Sequence, residues 1–356
     1  MKRQIFFTIF GKILLGDIMG HEIDLKNTNV YTDLLVEQIE SDLYNTNMVG
    51  NCKITTINVD SNLSMELNKQ EGTYITIEFN DITDIDNREE LGKILVDNIK
   101  LLLDNEGITE DKSCLLVGLG NANSTPDSLG PRTLDNILIT RHLFILDKLK
   151  KGVRSISGFT PNVMANTGIE TYDIIKGIIS TTNPDFIIVI DSLKASSIDR
   201  VNRTIQLTNT GIKPGSGIGN YRLEISKNTL NIPVIAIGVP TVLDATTIAS
   251  NTITYLFKHI SYIKDNSSIN KLIVGRSNYL NKIKDRDLSK EEKEDFFGIV
   301  GTLTENDKYN LIKEVLNGID YDLIVTPKDI DFVIDKLGEV IGFAINNALS
   351  EEINNY

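Results

Sequence analysis

The chain has 356 residues, of which 41% are hydrophobic and 6% aromatic, and its 49 acidic and 36 basic side chains give a net charge of −13. This composition is typical of a soluble globular protein with one large or two ordinary domains. The acidic balance and the few aromatic side chains argue against a phosphate-neutralising or base-stacking surface, so we expect no direct nucleic-acid partner.

The amino-terminal stretch MKRQIFFTIFGKILL has the basic start and apolar run of a signal peptide. Lys12 interrupts the apolar run, however, and no A-x-A cleavage site follows it. No other stretch has the length of a membrane span, so we expect neither export nor a membrane partner. Met19 is an alternative start, in which case residues 1–18 would be an extension of the gene prediction.

The cysteines and histidines are sparse and scattered. Cys52 and Cys114 are far apart and form no C-x-x-C motif, which predicts packed free thiols in a reducing cytosol. The three histidines lie outside any H-E-x-x-H arrangement, so we expect no metal and no other cofactor.

From about Asn51 onward, short apolar runs alternate with amphipathic helical runs, which predicts an α/β protein with a largely parallel sheet. The predicted strands are Tyr74–Phe79, Cys114–Leu119, Val153–Ile156, Phe186–Ile190, Thr204–Leu207, Val234–Ile237 and Asp322–Val325. Helices are predicted from Pro131 to about Leu149, from near Gly168, from near Asp244, and from Ile330. The charged stretch around 280–297 is predicted to be an exposed insertion.

Two acids follow predicted strands. Asp127 lies in the turn-rich loop after Cys114–Leu119, and Asp191 comes directly after the apolar run FIIVI. Loops at the carboxyl ends of parallel strands face one crevice, so the two carboxyl groups could meet there. A close pair shares one proton, and one group can then activate water while the other protonates or polarises a substrate. The pattern alone favours an alternative in which both acids only accept backbone N–H bonds in a turn and at a helix start.

Two further features lie near the same crevice. Asp244 could join the pair, but because it opens a helix we predict an N-terminal cap. The segment NTGIKPGSGIGN contains Gly215, Gly217 and Gly219, whose backbone N–H groups could meet a phosphate or an oxyanion. It lacks the dinucleotide-binding spacing, so we consider it a candidate substrate loop.

Several long blocks, among them VGLGNANSTPDSLGPRTLDN, PDFIIVIDSLKASS and IPVIAIGVPTVLDATT, resemble the spore germination protease family, and the likeness runs from about Tyr31 to the end. The resemblance implies a homotetrameric endopeptidase that degrades small acid-soluble spore proteins in the cytoplasm of the spore during germination. It implies a three-layer α/β sandwich with a mostly parallel sheet, resembling the hydrogenase maturation peptidases. It also implies that Asp127 and Asp191 are catalytic acids of an atypical aspartic type, against the preference of the pattern alone.

The resemblance further implies an inactive precursor that cuts itself at a site imitating the Thr-Glu-(Ile/Phe)-Ala sites of its substrates. The matching residues here are Thr32, Asp33, Leu34 and Leu35, with Leu35 at a position where alanine is usual. Cleavage between Asp33 and Leu34 would leave a pro-segment of residues 1–33 and a single peptidase domain of residues 34–356.

Two other functions remain open. One is a metal-recognising maturation peptidase with Asp127, Asp191 and His142 around a nickel ion, although His142 is predicted to lie in the middle of a helix beside Arg141. The other is a non-enzymatic module that binds an anion at the loop GSGIGN.

Overall fold

A mixed β-sheet with helices on both faces organises the computed structural model, which describes residues 32–39, 44–146, 153–215, 222–265, 286–317 and 323–350. The strands are β1 (Asn45–Val49), β2 (Cys52–Val59), β3 (Gly72–Glu78), β4 (Cys114–Gly118), β5 (Ile156–Phe159), β6 (Phe186–Lys194), β7 (Thr204–Thr208), β8 (Val234–Asp244) and β9 (Ile324–Val325). The helices are α1 (Ser61–Leu67), α2 (Ile85–Asn105), α3 (Leu129–Leu134), α4 (Arg141–Ile145), α5 (Met164–Thr167), α6 (Thr171–Thr182), α7 (Lys227–Leu230), α8 (Ala245–Asp265), α9 (Lys290–Phe297), α10 (Ile299–Thr302), α11 (Glu305–Asn317) and α12 (Ile330–Leu349).

The strand order is β1-β2-β3-β7-β8-β6-β4-β5, and β9 pairs with the end of β8. Strands β8, β6, β4 and β5 are parallel to one another, whereas β1, β2, β3 and β7 pair antiparallel and β7 joins β8 antiparallel. The α/β class is therefore confirmed, with a mixed sheet rather than a mostly parallel one. Strand β1 was not predicted, because all five of its residues are exposed and it has no buried face to impose an apolar alternation.

Strands β6 and β8 extend well beyond their apolar runs. β6 continues from Ile190 to Lys194, and β8 continues from Ile237 to Asp244. The two strands pair with each other from Ile187 and Val234 to Lys194 and Val242, so backbone hydrogen bonding carries Asp191 into the sheet. As a result Asp191 lies within a strand and not at the start of a helix. The last two residues of β8 pair with β9.

The apolar side chains of the sheet pack on both of its faces, which gives the predicted three layers. On the first face, residues such as Ile188 and Ile237 pack against α2 and α12. On the second face, residues such as Ile187 and Val234 pack against Ile175 of α6. Since neighbouring residues in a strand point to opposite faces, Asp191 projects from the second face, together with Ile187.

The helix predicted from Pro131 to about Leu149 is interrupted. It forms two short helices, α3 and α4, because the chain between them returns to the sheet at Thr140. The N–H of Thr140 donates to the carbonyl of Ile156 at 3.0 Å, and the Thr140 hydroxyl accepts from the N–H of Ile156 at 2.8 Å. The tertiary contact with β5 thus overrides the helical periodicity; residues 147–149 of the predicted helix lie outside the described residues.

Other predictions can be compared directly with the structure. Cys52 and Cys114 are free and buried, as predicted. The described part of the charged stretch around 280–297 forms α9, whose Phe297 ring packs edge-on against Phe257 of α8 at 4.9 Å between centroids. In the portion of the chain described here, no helix is long and apolar enough to cross a membrane.

Candidate active site

The site lies where β4 ends beside a longer neighbour. β4 pairs with residues Phe186–Ile190 of β6, and the last link is the N–H of Leu119 donating to the carbonyl of Ile190 at 2.8 Å. Within the described ranges, β6 then continues to Lys194 with β8 as its one paired strand. Residues Asp191–Lys194 of β6 therefore extend beyond the end of β4, and their backbone donors and acceptors on that side can bind another segment. We call this side the vacated edge of β6.

Asp127 is held in a closed turn after β4. The chain turns at Gly120, whose φ of +101° is favourable only for glycine, and then forms a single 3₁₀ turn that ends at Asp127. The N–H of Asn121 donates to the Asp127 carbonyl at 2.9 Å, and the Thr241 hydroxyl donates to the Pro126 carbonyl at 2.6 Å. These bonds fix the turn to its own start and to β8.

The two predicted catalytic acids come together here. Asp191 is 7% exposed, and one of its carboxyl oxygens accepts the N–H of Ser192 at 2.9 Å. Burial, followed by the charges of Asp127 and Asp33, raises the pKa of Asp191 well above its ordinary range. Burial also raises the pKa of Asp127 to about 6, against the opposing effect of a hydrogen bond from the N–H of Asn121. A pair of this kind retains a proton near neutral pH.

The predicted cleavage segment occupies the vacated edge of β6. The N–H of Asp33 donates to the Lys194 carbonyl at 3.1 Å, and the N–H of Lys194 donates to the Asp33 carboxylate at 2.9 Å. The next two side chains, Leu34 and Leu35, are fully buried in an apolar cluster that includes Leu193. The Asp33–Leu34 bond therefore lies in a bound stretch of chain whose Asp33 carboxylate interacts with Asp191.

One functional candidate was missed at the level of sequence. Gln206 of β7 is 7% exposed, and its side-chain amide lies against the same segment. Its Nε2 is 3.4 Å from the Asp33 carbonyl oxygen, and its Oε1 accepts the N–H of Leu35 at 2.8 Å. The alternation in TIQLT, with apolar Ile205 and Leu207 between polar residues, was the available signal that Gln206 faces away from the first core.

Asp244 does not belong to the pair. Its carboxylate accepts the N–H of Thr247 in the first turn of α8, which confirms the predicted cap. It also accepts the Tyr309 hydroxyl at 2.8 Å and pairs with the Lys194 ammonium at 2.7 Å. Burial acts to raise its pKa, but the hydrogen bonds from Lys194 and Thr247 and the charge of Lys194 hold the pKa below its ordinary value.

A cavity of about 1290 Å³ opens next to Asp33 on the second face of the sheet. Its lining includes Gln206, Lys69 and Lys213. Lys213 belongs to the segment that leads to the candidate substrate loop. Of that loop, Gly215 is at the end of a described range, whereas Gly217 and Gly219 lie outside the described residues.

In the described ranges, Asp127, Asp191 and His142 do not form the metal site of the metal-recognising alternative. There, no group of three or more His, Cys, Asp or Glu side chains is arranged to hold a metal ion. His142 lies on α4 with an exposed side chain.

A buried and a half-buried carboxyl group with raised pKa values, beside a bound stretch of chain, are typical of an acid–base hydrolase site. Comparison with known proteins leads to the same class. A family model described as germination protease matches residues 18–356. The germination protease of Bacillus subtilis strain 168 is 42% identical over 94% of this chain and 96% of its own length. That of Bacillus pumilus strain SAFR-032 is 45% identical over 85% of this chain and 84% of its own length.

The chain therefore belongs to the germination protease family, and it is a peptidase of spore germination. Among solved structures, a [NiFe] hydrogenase maturation protease, HycI, from Thermococcus kodakarensis KOD1 matches 40% of this chain and 80% of its own chain. The sequence identity is 12% and the TM-score is 0.25.

Proposed function

We propose that the chain is a self-processing precursor of an endopeptidase that begins the degradation of small acid-soluble spore proteins during germination. It cuts after the acid in Thr-Glu-(Ile/Phe)-Ala-like sites, and it matures by cutting its own Asp33–Leu34 bond. One observation carries this proposal: Asp33 is hydrogen-bonded to Lys194 on the vacated edge of β6, three residues along the strand from Asp191.

The carboxyl pair divides the chemistry between its members. Asp127, with a pKa of about 6, is mostly ionised at neutral pH, whereas the pKa of Asp191 is raised by burial and by two neighbouring charges. Asp127 then takes a proton from a water molecule, and the oxygen of that water attacks the carbonyl carbon of Asp33. Protonated Asp191 donates toward the reacting amide, the C–N bond breaks, and Leu34 leaves with a free amino group.

The contacts of the bound segment agree with the proposed specificity. The acid before the cut is recognised through the Lys194 N–H, which donates to the Asp33 carboxylate at 2.9 Å. Lys69, in the adjoining cavity, interacts electrostatically with the same carboxylate. After the cut, the fully buried side chains of Leu34 and Leu35 favour apolar residues. The pocket at Leu35 accepts a side chain larger than the usual alanine.

The decisive experiment incubates the purified full-length chain over a series of pH values and sequences the new amino terminus. We expect the wild-type chain to begin at Leu34 after cutting. Asp127→Asn and Asp191→Asn should each slow the cut by at least about 100-fold, since each removes one partner of the acid–base pair. Asp97→Asn, an exposed acid on α2, is the matched control and should cut normally.

The pH series tests the assignment of the base. Because the pKa of Asp127 is raised to about 6, its ionised fraction grows between about pH 5 and 7, and the cutting rate should rise over that range. A rate that is flat from about pH 5 to 8 would contradict this assignment. Near-normal cutting by either Asn variant would show that the pair is not the catalytic one.

A further inference from the structure

Gln206 is aligned with Asp191 across the sheet. Gly238 of β8 lies opposite Asp191 of β6 on one side and opposite Gln206 of β7 on the other. Residues that face each other in neighbouring strands project from the same face, so Asp191 and Gln206 point to the same side. Gly238 itself has no side chain, and the space above it is filled by the Leu193 side chain of β6, whose nearest atom lies 2.4 Å from the point where a Cβ would stand.

The orientation of the Gln206 amide is set by what it contacts. The N–H of Leu35 can only donate, so the oxygen Oε1 must be the atom that it meets at 2.8 Å. The nitrogen Nε2 then faces the Asp33 carbonyl oxygen at 3.4 Å. The amide thus contacts the backbone on both sides of Leu34, as a neighbouring β-strand would.

We propose that Gln206 is a catalytic residue of the self-cleavage: its amide holds the segment in register around Leu34, and its Nε2–H stabilises the negative charge that develops on the Asp33 carbonyl oxygen. This inference rests on the proposed function, because it takes Asp33–Leu34 to be the bond that is cut. The same amide would bind the equivalent carbonyl of a protein substrate, since both contacts are to backbone atoms.

The distances suit such a role. At 3.4 Å the contact between Nε2 and the carbonyl oxygen is longer than the usual 2.9–3.0 Å of an N–H···O bond, so it contributes little to the bound ground state. When water adds to the carbonyl carbon, the oxygen gains charge, and a charge-assisted hydrogen bond is shorter and stronger. An interaction that strengthens only in the transition state accelerates the reaction, whereas the 2.8 Å bond to Leu35 serves positioning.

Two substitutions separate the functions of the amide. Gln206→Glu keeps an oxygen acceptor for the N–H of Leu35 and removes the donor, whereas Gln206→Met removes both groups at similar length. We expect each variant to lower the first-order rate of cutting in the full-length chain by about 100- to 1,000-fold, the usual loss for one oxyanion donor. Thr76→Val is the matched control, because Thr76 lies opposite Gln206 in β3 and its buried hydroxyl has no hydrogen-bond partner among the residues that the structure describes.

For each variant, the cutting rate, the thermal melting temperature and the sequence of the new amino terminus are measured. Slow cutting by Gln206→Glu with a wild-type melting temperature supports the inference. Wild-type cutting by Gln206→Glu overturns the donor role, even if Gln206→Met fails to fold. The role of Gln206 would be structural if Gln206→Glu lowered the melting temperature together with the cutting rate, and if Thr76→Val lowered both by similar amounts.

The same series distinguishes this inference from the proposed function. If the wild-type chain does not cut at Asp33–Leu34, or if Asp191→Asn cuts normally, the proposed function fails. If both behave as proposed and Gln206→Glu cuts at the wild-type rate, only the role of Gln206 is wrong.

Discussion

Removal of the Asp127 carboxyl should stabilise the folded chain at neutral pH. Burial raises the pKa of Asp127 from its ordinary value of 3.8 to about 6. The folded state therefore holds the proton more tightly than the unfolded state does. Above about pH 4 the unfolded carboxyl ionises first, so the wild-type free energy of unfolding decreases as the pH rises toward 6. An asparagine does not titrate and avoids this loss.

The magnitude follows from the pKa difference of about 2. Each pKa unit corresponds to about 1.4 kcal/mol, so Asp127→Asn should add about 3 kcal/mol at pH 7 and almost nothing below about pH 4. The comparison is best made between Asp191→Asn and the double variant Asp191→Asn/Asp127→Asn, since neither should cut itself. Asp191 is not among the causes of the raised Asp127 pKa, so this background preserves the expected effect.

Urea unfolding at pH 7 and pH 4 measures the difference, and mass spectrometry verifies that both chains are intact. Asp97→Asn in the same background is the control, because this exposed side chain should have little effect at either pH. If the double variant gains nothing at pH 7, or gains equally at pH 4, then burial of the Asp127 carboxyl is not what raises its pKa.

Two further predictions concern the turn that holds Asp127 and the ion pair between Lys194 and Asp244. In Gly120→Ala, the new methyl would lie 2.0 Å from the Asp127 carbonyl oxygen, so we expect cutting to slow by at least about tenfold as the turn shifts. Gly168→Ala is its control, since Gly168 also has positive φ, but a methyl group there would meet no described atom within 4 Å apart from its own neighbours in the chain. A loss of rate as large as that of Gly120→Ala would show that backbone strain, and not the contact with Asp127, slows the cut. Asp244→Asn should cost about 3–5 kcal/mol in urea unfolding at pH 7, because it removes the carboxylate that pairs with the buried Lys194 ammonium at 2.7 Å. Since the folded pKa of Asp244 is below its ordinary 3.8, that cost should shrink as the pH falls toward 4 and below, and a variant as stable as wild type at pH 7 would contradict the pairing.

The sequence identified the parts of the sheet whose residues are apolar on both faces. FIIVI and VIAI were recognisable as buried strands because burial on both faces requires continuous apolar residues. It did not show where those strands end, since β6 continues through Asp191, Ser192 and Lys194, and β8 continues through Gly238 and Pro240, residues that do not favour strands and are held there by pairing between the two. It also missed the exposed strand β1 and the break between α3 and α4, where contacts distant in sequence outweigh local pattern.

For the site, the position of Asp127 and Asp191 after predicted strands indicated that they could meet, and Asp244 was identified as a cap. The segment from Thr32 to Leu35 came from the family resemblance. Local pattern was sufficient for the cap, because an N-terminal cap depends on residues within one turn of each other. It was not sufficient for Gln206, whose contact with Asp33 spans 173 positions and follows from strand order.

By itself, the sequence determined the α/β class, the buried strands and the chemical groups available for hydrolysis, because these depend on residue type and short-range periodicity. Only the tertiary structure decided which of those groups meet. β4 stops four residues before β6, and the vacated edge receives Asp33 while the turn after β4 brings Asp127 toward Asp191. Strand lengths and strand order arise from pairing between distant segments, so no local pattern could have specified them.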